Sequence, residues 1–559
     1  MPLALFPVLT LALLLGPILA GLAATLLPAF GYFPALGGNA FSIEPFVTLI
    51  DKPGLWKSAF LSIKVGVVST VLALAITALF LAGWHSTRSF RAVQGFISPL
   101  LSVPHAAAAF GIAFLLAPSG WLMRLASPEM TGFTRPPTYL FPGDEGGWAL
   151  ILGMTVKELP FLILMSLAAW PQLRADKKLQ VAAGLGYGRV AGFLHAVWPQ
   201  LYGQIRLAVF AVLAFAASVV DVALILGPST PPTLPVRLLD WMNDPDLSKR
   251  FLASAGAVLQ LALVVGAMLM WLTMERLGSL MCSALAGGGY RMTRDGFVRR
   301  AALVVTVSLV LMVLLGTVVL GLWSVAGFWR FPDALPQALT FKTWSDQSSQ
   351  ALRVLGNTFA IGGLAVIVAA FLTIGCLERE HRSGRDGGQR ALLLLYIPLL
   401  VPQIAFVFGL QMFALSLGID TSMAAVVLVH LVFVLPYLFL SLADPWRNVD
   451  PRLAQVSAGM GHGPNMFLWR VRLPVLLRAI LTAAAVGFSV SIAQYLPTLL
   501  IGGGRLPTVT TEAVALASGG NRRVIGVYAF LQLVAPLVGF LIAALVPAFL
   551  FRNRREMRP

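Results

Sequence analysis

Twelve long apolar segments, separated by polar or by proline- and glycine-rich stretches, dominate the pattern of this chain. They lie near residues 3–27, 60–83, 97–118, 148–169, 204–227, 251–274, 301–328, 354–376, 391–417, 423–443, 479–501 and 524–550. As helices rising about 1.5 Å per residue, most are long enough to cross about 30 Å of hydrocarbon. The pattern predicts an all-α polytopic membrane protein with about twelve transmembrane helices.

The first apolar segment, 3–25, carries no charge and is open to two interpretations. A cleaved signal peptide would have a basic region before a shorter apolar run. This segment has neither feature, so we expect a retained transmembrane helix.

Composition supports the membrane assignment. The chain of 559 residues is 58% hydrophobic and only 11% charged, whereas soluble domains carry about 25% charged residues. Cys282 and Cys376 are too few and too far apart for a disulfide framework or a metal site. The six histidines are scattered, and we expect His105 and His195 to pack or to lie at an interface rather than to bind metal.

A short polar phrase occurs twice. QVAAGLGYG stands at 180–188 and QVSAGMGHG at 455–463, with six of nine positions identical. The offset of 275 residues is about half the chain, and each copy is followed, thirteen residues after its central glycine, by a proline. Repetition at this distance indicates an internally duplicated membrane protein.

Further landmarks recur in the same order in both halves. VPHAAAAFG (103–111) matches VPQIAFVFG (401–409), ELPFLILMSLA (158–168) matches VLPYLFLSLAD (434–444), and SVVDVALILG (218–227) resembles SIAQYLPTLLIG (491–502). The common order predicts two parallel six-helix repeats related by an axis along the membrane normal, with a translocation path between them.

The repeats suggest a division of the chain into three parts. We predict a first repeat over 1–280 with its transmembrane core at about 55–275. A cytoplasmic linker follows over 281–300, and a second repeat over 301–559 has its core at about 350–550.

The net charge of +17 could suggest a nucleic-acid partner. However, most lysines and arginines fall in loops on the side that carries the repeated phrases. The positive-inside rule then places both repeated loops and both termini in the cytoplasm of a bacterial inner membrane. We therefore expect the lipid bilayer, and no nucleic acid, as the partner of this basic charge.

The repeated loops have the residues of a compact helical turn. Gly186 and Gly461 permit a positive φ between two short helices, and Pro199 and Pro474 redirect the second helix into the next segment. Such a knob could transmit the motion of a docked subunit to the membrane helices. The alternative is a structural hairpin without a partner, which two copies with matched glycine-to-proline spacing make less attractive.

These loops resemble the cytoplasmic signature of permease subunits of binding-protein-dependent ATP-binding-cassette (ABC) importers. That signature is a Glu-Ala-Ala phrase, a glycine, and a short helix closed by Leu-Pro. The matching residues are Gln180, Ala182, Ala183, Gly186, Phe193 and Pro199, and Gln455, Ser457, Ala458, Gly461, Leu473 and Pro474. Glutamine replaces glutamate in both copies and Trp198 replaces the usual leucine, which marks a divergent subfamily. With both halves on one chain, the protein is similar to the fused permeases of ferric-iron and thiamine uptake.

The resemblance implies a transport subunit that works by alternating access and is not itself an enzyme. Its partners would be a homodimeric cytoplasmic ATPase and an extracytoplasmic solute-binding protein. No G-x-x-x-x-G-K-[ST], H-E-x-x-H, C-x-x-C or G-x-S-x-G motif occurs in the sequence. We therefore expect ATP and Mg²⁺ on the partner ATPase, and no cofactor or metal on this chain.

Ionisable groups within apolar segments are candidates for the path. Asp221 and its repeat partner Gln494 lie at corresponding places, and we predict that they line or gate the path. The alternative is a polar contact that pins two helices together. Lys157 and Glu158 are adjacent, need not pair with each other, and have an open role.

A secondary transporter driven by an ion gradient is the main alternative function. It also predicts twelve spans in two parallel halves, but it does not explain the duplicated loop. A membrane enzyme or scaffold would need clustered catalytic groups or a large soluble domain. Ferric iron, thiamine, polyamines and inorganic anions all stay open as the solute, and the direction of transport follows from the resemblance alone.

Overall fold

The computed structural model describes residues 3–384 and 387–552, and these residues are almost wholly helical. Residues 1–2 of the first predicted repeat and residues 385–386 and 553–559 of the second lie outside the described residues. The described part contains no β-strand, only two isolated bridges. The twelve long helices are α1 Leu5–Ala29, α2 Leu55–Trp84, α3 His105–Leu116, α4 Trp148–Ala169, α5 Trp198–Ser218, α6 Lys249–Gly287, α7 Gly296–Val325, α8 Lys342–Ser383, α9 Gln403–Ser416, α10 Met423–Arg447, α11 Leu477–Ile492 and α12 Arg522–Leu550.

Further helices, most of them shorter, connect these twelve. They are Glu44–Ile50, Arg88–Leu101, Trp121–Ala126, Ala175–Gly184, Arg189–Ala196, Asp221–Leu226, Leu234–Met242, Gly388–Leu400, Pro451–Gly459, Pro464–Phe467, Leu473–Val475, Leu496–Gly502 and Val509–Ala515. Short 3₁₀ turns occupy Pro34–Leu36, Trp170–Leu173 and Leu516–Gly519, and a π-helical turn occupies Leu468–Arg472.

Length and apolar composition confirm the all-α polytopic prediction. Within the described residues, ten helices could cross a membrane, or up to twelve if two bent helix pairs each count as one span. The bent pairs are Arg390–Leu400 with Gln403–Ser416, at 83°, and Pro464–Val475 with Leu477–Ile492, at 71°.

Four predicted spans are wrong as continuous helices. Segments 97–118 and 391–417 break just before α3 and α9, where Pro104 and Pro402 have extended ψ angles of 150° and 129°. Proline lacks an N–H and disfavours a helical residue before it, which explains these two breaks. Segments 204–227 and 479–501 break after Ser218 and Ile492. The breaks recur at equivalent places in both halves.

The first helix of each half packs against the other half. Helix α1 lies along α9, and α7 lies along α3. A Cβ atom added to Gly21 of α1 would lie 2.2 Å from the carbonyl oxygen of Phe406. One added to Gly316 of α7 would lie 3.1 Å from Cα of Gly111. Small residues therefore permit both crossings, and the two halves exchange their first helices.

The remaining helices repeat one arrangement. In the first half α2 packs against α4 and α5, and in the second half α8 packs against α10 and α11. The segment between the halves is short, because α6 continues to Gly287 and α7 begins at Gly296. The division at 280 and 300 stays a prediction.

Candidate functional site: two repeated loops and a polar layer

Loop one (residues 170–197) folds as a tight helical hairpin. Its helices Ala175–Gly184 and Arg189–Ala196 meet at Gly186, whose φ is +81°. Gly186 N–H donates to Ala183 O at 3.0 Å, and Tyr187 N–H donates to Ala182 O at 3.1 Å. This pair of bonds is a Schellman closure, which needs a left-handed residue that glycine supplies without strain.

Loop two (residues 448–476) closes in the same way. Gly461 has a φ of +76°. Its N–H donates to Ala458 O at 2.9 Å, and His462 N–H donates to Ser457 O at 3.1 Å. The predicted repeat is therefore a repeat of backbone geometry at the turn, and both glycines adopt the conformation that the sequence predicted.

The predicted loop residues divide by exposure. Gln180, Ala183 and Gly186 are exposed, as are their equivalents Gln455, Ala458 and Gly461. Ala182 and Ser457 are buried in both copies, Phe193 is fully buried, Pro199 is exposed, and Leu473 and Pro474 are half-buried. The exposed residues form a surface, whereas the buried ones hold each hairpin together.

Sequence reasoning missed the apolar part of this surface. Val181 and Leu185 are 64% and 59% exposed, and their equivalents Val456 and Met460 are 60% and 64% exposed. Residues four apart share one helix face, so each loop presents an apolar pair to solvent. The signal was present, because both pairs stand inside the repeated phrase. In loop one Val181 and Leu185 line a shallow cleft of about 390 Å³.

The two loops are anchored to the bundle by different chemistry. In loop one, buried Phe193 stacks on Trp170, which stacks on His85 at the end of α2, with 3.7 Å between the last two ring centroids. In loop two, Arg472 Nη1 lies 2.8 Å from Glu378 Oε2 of α8.

The Glu378–Arg472 pair is buried, with each side chain only 2% exposed. Arg382 Nε donates to Glu378 Oε1 at 2.6 Å, and the Arg472 guanidinium lies over the rings of Trp446 and Phe467. A buried carboxylate with two charge-assisted hydrogen bonds fixes geometry strongly. Loop two is therefore tied to the end of α8.

A polar layer lies between the halves at the level of the helix breaks. Asp221 is buried at the first turn of Asp221–Leu226 and interacts electrostatically with His105. His105 Nε2 lies 3.4 Å from Glu158 Oε1. Lys157 does not pair with Glu158 through a hydrogen bond. Its Nζ donates to Leu100 O at 3.2 Å and to Val103 O at 2.5 Å, two carbonyls beside the break before α3.

The second half repeats part of this arrangement. Gln403 Nε2 donates to Gln494 Oε1 at 3.3 Å. Gln403 and His105 are the residues that follow Val-Pro in the matched landmarks. Gln494 is thus hydrogen-bonded to Gln403, and the equivalent residue of the first half, His105, lies within electrostatic range of Asp221 and contacts Glu158.

Two tyrosines of the second half lie within electrostatic range of the acids of the first. Tyr495 interacts electrostatically with Asp221, and Tyr437 interacts with Glu158. Sequence reasoning missed His105, Gln403 and both tyrosines as members of this layer. Only the matched landmarks could have pointed to the first two. Among the described residues no group of three or more His, Cys, Asp or Glu side chains could hold a metal ion.

A duplicated helical bundle, with polar groups at the interface of its halves and a repeated hairpin on each half, defines a multi-pass membrane permease. The chain is 30% identical over 550 residues to the inner membrane ABC transporter permease protein YnjC of Escherichia coli K12, covering 98% of both chains. It therefore belongs to the family of inner-membrane ABC transporter permeases and is itself a multi-pass protein of the inner membrane.

Other relatives are more distant. The thiamine transport system permease protein ThiP of Escherichia coli K12 is 25% identical over 508 residues, with 87% of this chain and 88% of ThiP covered. The molybdenum transport system permease protein ModB of Mycobacterium tuberculosis is 33% identical over 150 residues, which is 25% of this chain and 57% of ModB. No family model matches the chain.

Proposed function

We propose that this chain is the membrane-spanning subunit of an ABC importer, and that loop one and loop two couple it to a separate ATPase. The observation that carries the proposal is the repetition of one surface. Both loops have the same closed turn and expose an apolar pair at equivalent positions, Val181 with Leu185 and Val456 with Met460. Exposed apolar groups on a rigid scaffold are typical of a protein interface.

The stoichiometry follows from the repeat. Two equivalent surfaces fit two copies of one ATPase subunit, so the partner is a homodimer. The ATPase carries ATP and Mg²⁺, and this chain contributes no catalytic residue and binds no cofactor.

The membrane part works by alternating access. When ATP closes the ATPase dimer, loop one and loop two move together, and the path between the halves opens outward. An extracytoplasmic binding protein delivers the solute there, and hydrolysis resets the path. Asp221 and Gln494 line this path, because both are buried polar groups at the equivalent helix breaks of the two halves.

The solute stays open. The relatives are named for molybdenum, for spermidine and putrescine, and for thiamine, so membership of the family does not select one solute. The excess of lysine and arginine on the side of the repeated loops supports a cytoplasmic position for both, where an ATPase could reach them.

The test is affinity capture of the solubilised chain from its native host, with mass spectrometry to identify any ATPase subunit. The double variant Val181→Asp/Val456→Asp places a charge in each apolar pair, and capture should fall to background. The control is Met130→Asp, which changes an apolar residue that is 86% exposed outside both loops. Undiminished capture by the double variant would contradict the assigned surface. Absence of any ATPase with the wild-type chain, under conditions that preserve a control importer, would contradict the function and favour ion-driven transport.

A further inference from the structure

The chain between the two halves lies directly on loop one. This inter-repeat linker (residues 288–295) connects α6 to α7. Gly188 N–H of loop one donates to Arg291 O at 2.8 Å. A Cβ atom added to Gly188 would lie 2.1 Å from Met292 O. Because Gly188 has a φ of −60°, its backbone conformation does not require glycine. Glycine is required at this position because the linker backbone approaches so closely.

The linker also caps a helix of loop one. Helix Arg189–Ala196 begins after Gly188, which has no side chain to accept a hydrogen bond from the free N–H groups. Asp295 supplies that acceptor, because its Oδ2 receives the N–H of Val190 at 2.9 Å. An N-terminal capping position prefers Asp, Asn, Ser or Thr, and here the capping side chain comes from a residue more than a hundred positions away. Asp295 is buried, and its other oxygen lies 3.8 Å from Arg299 Nη1.

The same region is joined to the end of α2. Trp84 Nε1 donates to Arg299 O at 2.7 Å. Arg299 Nε and Arg189 Nη1 both donate to Gly83 O, each at 3.3 Å. Loop one, the start of α7 and the end of α2 therefore form one hydrogen-bonded cluster.

In loop two, no described segment covers the position that the inter-repeat linker covers in loop one. Gly463 is the equivalent of Gly188 and also precedes the second helix of its loop, but no atom lies within 4 Å of where its Cβ would be. The first residue of that helix is Pro464, which removes one of the free N–H groups at the helix start. The equivalent of Val190 is Asn465. The repeated glycine thus has a packing reason in loop one that it lacks in loop two.

We propose that the inter-repeat linker is part of the first ATPase-coupling site, with Asp295 as the positioning residue that holds helix Arg189–Ala196 in its docking position. This inference rests on the proposed function of the loops. It assigns the linker a task beyond connection, because the segment between the two halves supports loop one from outside the first half. Loop two is held in position by the Glu378–Arg472 ion pair, which lies within its own half.

The test measures amide hydrogen exchange in the solubilised full chain together with capture of the ATPase. In Asp295→Ala the segment 186–196 should exchange about five-fold faster, as expected for loss of an N-terminal cap. Gly188→Ala should act in the same direction by displacing the linker. Asp295→Asn keeps an acceptor oxygen and should retain most of the protection. The matched change Gly463→Ala should leave exchange in both loops unaltered.

Capture separates a positioning role from a purely structural one. Asp295→Ala should lower ATPase capture several-fold at an unchanged yield of folded protein, and Asp295→Asn should restore it. Unchanged exchange over 186–196 in both Asp295→Ala and Gly188→Ala would overturn the contact. Faster exchange with undiminished capture would overturn the positioning role. If the wild-type chain captures no ATPase, the proposed function fails, while the exchange result still decides whether the linker holds loop one.

Discussion

Gly21 of the first half and Gly409 of the second meet backbone to backbone, and a Cβ atom added to Gly409 would lie 2.0 Å from the carbonyl oxygen of Gly21. The equivalent contact joins Gly316 to Gly111. Gly111 and Gly409 are the last residues of the matched landmarks at 103–111 and 401–409. The repeated glycine therefore marks the place where each half receives the first helix of the other.

Substitution of Gly21 should weaken this exchange of helices. Gly21→Ala forces the backbone of α1 away from Phe406 and should cost about 1–3 kcal/mol, as overpacking of a tight contact does. Gly16→Ala on the same helix is the control, because no atom lies within 4 Å of its added Cβ. Titration with a denaturing detergent in mixed micelles measures both. Equal stability of the two variants would contradict the contact.

The buried ion pair of loop two predicts a larger effect from loss of Glu378 than from loss of Arg472. Glu378→Gln leaves the buried Arg472 charge uncompensated and should cost about 3–5 kcal/mol. Arg472→Met should cost less, because Arg382 still donates to Glu378. The double variant Glu378→Gln/Arg472→Met should recover much of the loss caused by Glu378→Gln. The control is the Glu380–Arg447 pair, at 2.9 Å but with Arg447 43% exposed. Loss of that pair should cost about 0–1 kcal/mol. The same detergent titration compares the stability lost with each pair. Similar losses of stability for the buried and the exposed pair would show that Glu378 and Arg472 are hydrated.

The anchor of loop one should weaken in acid. Burial against Trp170 lowers the pKa of His85 below its ordinary value of 6.5, and nearby Asp176 opposes this only in part. The folded chain therefore binds this proton less readily than the unfolded chain. The contribution of His85 to stability is complete above pH 6.5 and falls as the pH drops below that value.

Limited proteolysis of loop one at pH 7.5 and at pH 5.5 measures this dependence. Cleavage should be faster at the lower pH, and His85→Phe should keep the stack on Trp170 while reducing the difference. If His85→Phe shows the same pH dependence as the wild type, another group is responsible.

The polar layer predicts a transport defect without a folding defect. Asp221→Ala and Gln494→Ala each remove a polar group from the path and should lower solute uptake about tenfold, the size expected when a buried partner loses its hydrogen bond or ion pair. Asp246→Ala, at an exposed position, is the control. Normal uptake by both variants at normal expression would show that these residues only join helices.

The parts of the fold that depend on local sequence were predictable. Long apolar segments predicted the all-α polytopic architecture and the order of the long helices, and Gly186 and Gly461 predicted both turns. The hydrophobic pattern did not reveal the helix breaks at 102–104 and 219–220, because a broken helix and a continuous helix bury the same apolar side chains. The exchange of α1 and α7 depends on tertiary packing, which a single sequence does not display.

The sequence predicted the two loops of the candidate site but not the residues that hold them in place. The repeated phrase identified the loops but not the exposed role of Val181 and Val456. Asp295 and Glu378 could not have been found, because each acts on a residue about one hundred positions away. Their partners are a backbone N–H and an arginine, which carry no distinctive local pattern.

Native mass spectrometry of the solubilised complex tests the central claim most directly, because it counts the ATPase copies bound to each chain. The wild-type chain should carry two copies of one ATPase subunit. Val181→Asp or Val456→Asp alone should destabilise one of the two contacts and yield species with a single copy, and the double variant should carry none. A wild-type chain with no ATPase, or a double variant that keeps both copies, would contradict the account of loop one and loop two as the coupling surfaces.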